Sequence, residues 1–368
     1  MPGCGPVGFR WCSRFSLLHL NSPATIAVKH LKTNRLKQLA LCKDRMSENP
    51  EKTPVRHIIV AEDCGGQRLD NFLLRELKGL PKTRLYRLLR KGELRVNKKR
   101  VKPDYRVAVG DDIRIPPMQL ATAAIPAKPS DQLSAELQAS IVHEDERLLV
   151  LNKPSGLAVH GGSGLRLGLI EALRQLYPEQ RFLELVHRLD RDTSGLILVA
   201  KKRAALKALH EQLRSKKVDK RYLALVKGAW PARKQHVIAA LEKTTLQSGE
   251  RMVRESLEGK PSRTEYSVLE RFAGASLVEA RPLTGRTHQI RVHCQLAGHP
   301  ILGDVKYGLD ADNAQAKRMG LSRLFLHAHR LNFELEGKTY RLEAPLPAAL
   351  ESVLDSYRKT SIKNQVGS

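Results

Sequence analysis

The 368-residue chain is poor in the residues that metal clusters, disulfide frameworks and membrane spans require. Its five cysteines are scattered and form no CxxC pair, which argues against a zinc ribbon or a redox dithiol and is typical of a reducing compartment. No apolar run approaches the ~20 residues that a membrane helix needs. The sequence therefore predicts a cytoplasmic protein with no membrane partner.

Acidic residues are also scarce relative to basic ones. The chain has 64 Lys and Arg against 38 Asp and Glu, a net charge of +26. A positive field of this size favours a polyanionic partner, usually nucleic acid. Lysines that merely solvate the surface are the alternative, but the charge here is clustered. We therefore expect an RNA or DNA partner.

The amino-terminal segment differs from the rest of the chain. Residues 1–45 carry eight Lys or Arg against a single acid, Asp44, and show no clear apolar period. Such a segment fits a transit peptide, a disordered basic arm, or an upstream start codon with Met46 as the true first residue. We predict that residues 1–53 form a basic extension outside the folded domains.

Residues 54–116 are predicted to be a small basic module of two helices and a hairpin. Apolar residues recur at helical spacing after Gln67 and again after Thr83, Gly92 should end the second helix, and Asn97 and Lys98 should form a hairpin turn. The module has many cations and few rings, which favours phosphate contacts over base stacking, although a protein partner is an alternative. It resembles the S4-type RNA-binding module. The candidate RNA-binding residues are Arg84, Arg87, Lys91, Arg95, Lys98 and Lys99.

The remaining chain divides by composition. Residues 117–135 are rich in Ala, Pro and Ser and lack periodicity, which predicts a linker. Residues 136–358 have alternating short strands and helices and form the predicted catalytic domain. Residues 359–368 are a predicted tail.

A polar loop between two apolar strands is the first candidate site. In "HRLDRDTSG", Asp190 lies between Arg188 and Arg191. Neighbouring cations should keep its carboxylate ionised, and an ionised, positioned carboxylate can act as nucleophile or base. A turn-forming aspartate paired with a surface arginine is the plainer interpretation. Asp192 could fill the same role on these grounds.

Two further stretches supply partners. Tyr222 begins an apolar strand in "KRYLALVKG", where its ring could stack on a base or belong to the core. In "GRTHQIRVH" a helix should follow Gly285 and present Arg291, which could pair with Asp190. The histidines in this region lack the HExxH pattern and have no acid among them, so no metal site is predicted.

The motifs "LNKPSGLAVHGG", "HRLDRDTSGLILVAKK", "KRYLALVKG" and "GRTHQIRVH", followed by "GHPI" and "GD", resemble those of the RluA-type pseudouridine synthases. The resemblance covers about residues 56–350 and implies a mixed α/β (α+β) domain with a largely antiparallel sheet. It also implies isomerisation of uridine in RNA without cofactor or metal. The S4-type module belongs to the ribosomal branch of the family, so the implied partner is large-subunit ribosomal RNA, bound by a monomer.

By position in these motifs, the resemblance assigns the catalytic aspartate to Asp190. It implies that Tyr222 packs on the target base, that Arg291 forms a salt bridge with the aspartate, and that Arg188 helps to displace the nucleotide. Further candidate RNA-binding residues in the motifs are Lys153, His187, Arg286 and His288. The same chemistry on transfer RNA, and a ribosome assembly factor that only binds RNA, are the alternatives.

Overall fold

The computed structural model describes residues 54–77, 79–118, 127–161, 167–245 and 251–366. The chain divides into two compact units, Met1–Ala124 and Ile125–Ser368. The predicted extension, including Met46, lies outside the described residues, as do residues 119–126 of the predicted linker and residues 367–368 of the predicted tail. In the described part of the chain, no helix is both long enough and apolar enough to span a membrane.

The first unit is a three-stranded antiparallel sheet packed against two helices. The strand order is β1–β3–β2. A single core of buried Leu, Val and Ile side chains joins the sheet to both helices. The elements are β1 (Arg56–Ile59), α1 (Leu69–Glu76), α2 (Lys82–Lys91), β2 (Arg95–Val96) and β3 (Asp112–Ile115).

The predicted helix stop and hairpin turn are both confirmed. Gly92 adopts the left-handed conformation (φ 70°), and its N–H donates to the carbonyls of the last helical turn. Asn97 and Lys98 have φ values of 47° and 64°, as a two-residue hairpin turn requires. Across that turn, Val96 and Lys99 exchange backbone hydrogen bonds of 3.0 and 2.9 Å.

The second unit is built on one mixed sheet, whose described part has 11 strands in the main order β10–β9–β11–β12–β8–β13–β7–β5–β4. Every pair is antiparallel except β13 with β7, so the mostly antiparallel α+β architecture is confirmed. The strands are β4 (Ile141–Glu144), β5 (Leu148–Lys153), β6 (Glu184–Leu185), β7 (Ser194–Ala200), β8 (Asp219–Lys227), β9 (His236–Thr245), β10 (Arg251–Glu255), β11 (Lys260–Phe272), β12 (Ala275–Pro282), β13 (Leu326–Leu335) and β14 (Lys338–Glu343).

Six helices of the described residues pack around this sheet: α3 (Asp131–Ala139), α4 (Leu169–Leu176), α5 (Arg203–Arg214), α6 (Gln289–Leu296), α7 (Asp310–Arg318) and α8 (Ala348–Val366). Strand β7 is buried along its whole length. Leu196 and Leu198 face a cluster that includes α5, whereas Ile197 and Val199 face a cluster that includes α4. Because helices pack on both faces of β7, its residues from Leu196 to Val199 are apolar throughout and do not alternate between apolar and polar.

Strand β7 begins at the only parallel pairing among the described strands. Ala328 of β13 lies opposite Gly195, which has a φ of 112°. A Cβ atom at position 195 would lie 2.3 Å from the carbonyl oxygen of Ala328. Only glycine therefore fits where the Asp190 loop enters the sheet.

Two predicted boundaries differ from the helices in the structure. Helix α3 begins at Asp131, inside the predicted linker, because the Ser130 hydroxyl accepts a hydrogen bond from the Leu133 N–H at 3.1 Å. Helix α8 continues to Val366, beyond the predicted end of the catalytic domain at residue 358.

Candidate active site

A cavity of about 390 Å³ opens in the second unit. Its wall is formed by the loop before β7, the start of β8, and the segment from the end of β12 into α6. Asp190, Tyr222 and Arg291, which lie far apart in sequence, all line it, together with Arg188, His187, Arg286 and His288. The volume falls in the range of small-molecule sites.

Asp190 lines this cavity, and the fold of the described residues does not depend on its carboxylate. Its side chain is 18% exposed, and two cationic or polar groups approach the same oxygen. Arg291 Nη1 is 3.8 Å from Asp190 Oδ2, and His288 Nε2 is 3.9 Å from it. In the described part of the chain, the Asp190 carboxylate accepts no hydrogen bond. The carboxylate is therefore available to contact a substrate.

The arginines that flank Asp190 in sequence are not its partners. Arg191 turns to Asp192, with Nε donating to Oδ1 at 2.9 Å. Arg188 is exposed at the cavity and forms no hydrogen bond or ion pair with another described residue. Asp192, which the sequence could not distinguish from Asp190, does not line the cavity.

Arg291 is held mainly by an acid that the sequence analysis missed. The guanidinium, 3% exposed, donates to both oxygens of Asp304 at 2.7 Å. The backbone N–H groups of Lys306 and Tyr307 donate to Asp304 Oδ1 at 2.9 and 3.1 Å. Such a bidentate pair fixes the plane of the guanidinium and leaves Nη1 for Asp190.

Gln289 fixes the loop that precedes α6. Its side-chain oxygen accepts from the Thr284 hydroxyl at 2.7 Å and the Arg286 N–H at 3.0 Å. Its amide nitrogen donates to the Arg263 carbonyl and the Thr264 hydroxyl. All polar atoms of this buried amide are satisfied, and its hydrogen bonds tie the loop that carries His288 to β11.

Tyr222 lies half-buried on β8 and lines the same cavity as Asp190. Burial, and secondarily the charge of Asp190, raise the pKa of its hydroxyl. The phenol is therefore neutral at physiological pH.

Lys153 is not available to RNA, which makes its prediction as an RNA-binding residue wrong. The side chain is completely buried, and Nζ donates to the carbonyls of Pro154, Leu157 and Arg191 at 2.7, 2.9 and 3.0 Å. Burial lowers its pKa to about 7. Three acceptors need three N–H donors, however, so we assign the ammonium form. Its role is to stabilise the Asp190 loop through the hydrogen bond from Nζ to the Arg191 carbonyl.

Replacement of Lys153 by methionine should therefore destabilise the second unit. Three carbonyls lose the hydrogen bond from the buried Lys153 Nζ, which we expect to lower the free energy of unfolding by about 2–4 kcal/mol. Chemical denaturation measures this. Lys202→Met is the control, because Lys202 is exposed and pairs with Glu146 only at the surface. Equal midpoints for the two variants would contradict the anchoring role.

His187 and Arg286 differ in their access to RNA. His187 is half-buried, its Nε2 accepts from the Leu198 N–H at 3.1 Å, and burial lowers its pKa to about 3. It faces the cavity as a neutral ring and not as a cation. Arg286 is exposed at the rim, with Nε donating to the Pro261 carbonyl at 3.3 Å.

The candidate RNA-binding residues of the first unit form a basic surface on α2 and the hairpin. Arg84, Arg87 and Lys91 lie on one side of α2, and Leu85, Leu88 and Leu89 are buried on the other. Arg87, Lys91, Arg95, Lys98 and Lys99 are exposed, and Arg84 is half-buried. Arg90 and Arg100 are also exposed, although the sequence analysis did not single them out.

Comparison with known proteins identifies both units. Residues 147–296 match the model of the RNA pseudouridylate synthase family, and residues 67–113 match that of the S4 domain. Ribosomal large subunit pseudouridine synthase C of Pasteurella multocida is 54% identical over 313 residues, 84% of this chain and 96% of that protein. The protein of the same name from Escherichia coli K12 is 55% identical, over 84% of this chain and 98% of that protein.

A solved structure agrees with these matches. The human RNA pseudouridylate synthase domain containing 4 structure is 28% identical, covers 62% of this chain and 96% of that one, and has a TM-score of 0.51. The relatives align over nearly their whole length. The chain therefore belongs to the RNA pseudouridylate synthase family and is a pseudouridine synthase with an S4 domain.

Proposed function

We propose that this enzyme isomerises uridines of large-subunit ribosomal RNA, with Asp190 as the reacting carboxylate. The names of relatives that are more than half identical support the substrate. The observation that carries the proposal for the residue is the position of Asp190, whose unbonded carboxylate lies in the cavity beside Arg291. A ribosomal substrate implies that the enzyme works in the cytoplasm, and we propose that it acts as a monomer.

The reaction conserves all atoms. The bond from ribose C1′ to uracil N1 breaks, the base turns, a bond from C1′ to C5 forms, and the proton on C5 is replaced by one on N1. Asp190 either attacks C1′ or removes the proton from ribose C2′, and both routes need an ionised oxygen free of structural hydrogen bonds. Arg291 Nη1, 3.8 Å from Asp190 Oδ2, positions the carboxylate.

The uridine must leave its stack to reach Asp190, at a cost of a few kcal/mol. Tyr222 offers a neutral ring on which the everted base can pack. Arg188, exposed and unpaired within the described residues, can fill the vacated space or contact a phosphate. Arg286 and His288 line the path of the nucleotide into the cavity.

The basic surface of α2 and the hairpin should supply affinity without sequence preference. In the double variant Arg87→Gln and Lys98→Gln we expect weaker binding to every RNA. The slope of log affinity against log salt should become shallower by about 0.7–0.9 for each phosphate contact that is lost. Filter binding at several salt concentrations measures the slope.

The control for this variant removes two exposed charges elsewhere. Lys338 and Arg341 lie on β14 at the surface of the second unit. We expect their replacement by glutamine to reduce the slope less than replacement of Arg87 and Lys98 does. If the two reductions were equal, the affinity would reflect net charge alone, and the proposed surface would be wrong.

The substrate is tested by mapping pseudouridines after incubation with unmodified large-subunit RNA, small-subunit RNA and transfer RNA. We expect discrete new pseudouridines in the large-subunit RNA only, and none with Asp190→Asn. Modification of transfer RNA alone would replace the proposed substrate by the second candidate. RNA binding with no isomerisation of any of the three would favour an assembly factor.

A further inference from the structure

We infer that Tyr307 and His288 are positioning residues that together set the orientation and protonation of the imidazole facing Asp190 and link this ring to the β9–β10 hairpin. The inference rests on the proposed role of Asp190. It assigns a function to a tyrosine that no motif analysis singled out and a different function to a histidine predicted only to contact RNA.

The connection consists of two hydrogen bonds followed by a longer approach of the imidazole to the carboxylate. The N–H of Val253, on β10, donates to the Tyr307 hydroxyl at 2.9 Å. The same hydroxyl lies 2.7 Å from His288 Nδ1. On the other side of the imidazole, Nε2 lies 3.9 Å from Asp190 Oδ2. The hairpin thus reaches the reacting carboxylate through two side chains.

The hydrogen bonds determine the tautomer of His288. Val253 occupies one lone pair of the Tyr307 hydroxyl, and the hydroxyl hydrogen needs an acceptor, which His288 Nδ1 provides. The proton of the neutral imidazole then lies on Nε2 and is directed towards Asp190. The opposite tautomer would set the Nε2 lone pair against a carboxylate. Burial lowers the pKa of His288, consistent with a neutral ring.

The backbone of His288 is an independent sign of function. Its φ of 53° and ψ of 18° lie in the left-handed region, which residues other than Gly adopt uncommonly, with Asn, Asp and His the most frequent among them. The loop before this residue is held by the side chain of Gln289, which accepts hydrogen bonds from the Thr284 hydroxyl and the Arg286 N–H. Such strain, maintained by surrounding structure, is concentrated at functional sites.

Tyr307 is fixed as firmly as the histidine. It is 3% exposed and packs with Val253 and Val292 in a small cluster under the hairpin. The Arg291 guanidinium lies 5.0 Å above its ring. Tyr307 therefore contacts both groups that approach Asp190 Oδ2, which is the arrangement a positioning residue requires.

The Tyr307→Phe variant tests this inference. The phenyl ring retains the packing, but His288 Nδ1 loses its donor. Protonation of Nδ1 then no longer breaks a hydrogen bond, so the pKa of His288 rises. The other charged groups that face the ring, Asp190, Asp304, Arg291 and Lys306, are unchanged. An imidazolium beside Asp190 would reduce the reactivity of its carboxylate.

We expect Tyr307→Phe to lower the single-turnover rate about tenfold at pH 7, as the loss of one oriented hydrogen bond would. RNA affinity should stay unchanged. Below pH 7 the rate of the variant should fall more steeply than that of the parent. The reason is that His288 of the variant, with its raised pKa, becomes protonated as the pH falls through this range. The control is Tyr340→Phe, which removes a hydroxyl that donates to Asp145 at 2.8 Å outside the cavity.

Nitrogen NMR of histidine-labelled protein tests the tautomer without RNA. His288→Asn, which tolerates the left-handed backbone, assigns the signal among the 13 histidines. We expect an Nε2-protonated ring in the parent and a higher pKa in Tyr307→Phe. An Nδ1-protonated parent ring, or an unchanged rate and pH profile in Tyr307→Phe, would overturn the inference. Neither result would affect the proposed role of Asp190, which the Asp190→Asn variant tests by itself.

Discussion

In the Asp190→Asn variant, isomerisation should be lost while RNA binding remains. Asparagine has nearly the same volume but is neither ionised nor nucleophilic, so we expect the single-turnover rate to fall by at least about 10³-fold. Affinity should stay within about twofold, because the side chain supports no part of the fold through hydrogen bonds in the described structure. Quantitative pseudouridine detection and filter binding on the same RNA measure the two effects.

Asp192→Asn is the matched control for this variant. It changes an aspartate of the same loop that pairs with Arg191 and lies outside the cavity lining. We expect its rate to stay within a few-fold of the parent. A normal rate in Asp190→Asn, or a greater loss in Asp192→Asn, would refute the assignment of the reacting carboxylate.

The second large effect is expected from Asp304→Asn. Asp304 is 1% exposed and neutralises the buried Arg291 through two hydrogen bonds of 2.7 Å. Removal of one charge from a buried pair leaves the other uncompensated, which typically costs about 3–5 kcal/mol. We expect a loss of that size in the free energy of unfolding, measured by chemical denaturation. Isomerisation should also fall because Arg291 loses its orientation.

Two further variants separate stability from positioning. Glu146→Gln removes an acid from an exposed pair with Lys202 and should leave the denaturation midpoint unchanged. The double variant Arg291→Met and Asp304→Asn removes both buried charges and should be more stable than Asp304→Asn alone. It should still be inactive, because Asp190 then lacks the guanidinium that lies beside its Oδ2. Recovery of activity together with stability would show that Arg291 has only a structural role.

The sequence predicted features that depend on local conformation. Gly92 and the Asn97–Lys98 turn were predicted correctly because Gly and Asn adopt positive φ values more readily than other residues and so mark such turns in the sequence. The resemblance to a family brought Asp190, Tyr222 and Arg291 together, and the structure shows them at one cavity. Local physics alone could not distinguish Asp190 from Asp192.

Features that depend on distant contacts were missed. Lys153 was taken for a surface cation because an isolated lysine in a sequence gives no sign of three carbonyls that converge on it. Asp304 lies 13 residues beyond Arg291, past the end of α6, so no helical spacing connects the two. Asp304 is the aspartate of the "GD" motif. This motif follows the predicted helix that carries Arg291, and that order in the sequence is the signal that could have identified the Arg291–Asp304 pair.

The close approach of Gly195 to Ala328 limits how the enzyme can be altered. Any side chain at position 195 would push the backbone against a strand that cannot move without disturbing the whole sheet. The displacement would pass along five residues to Asp190. Attempts to retarget the enzyme to new uridines should therefore diversify the rim, at Arg286 and Arg188, and keep residue 195 fixed in every library.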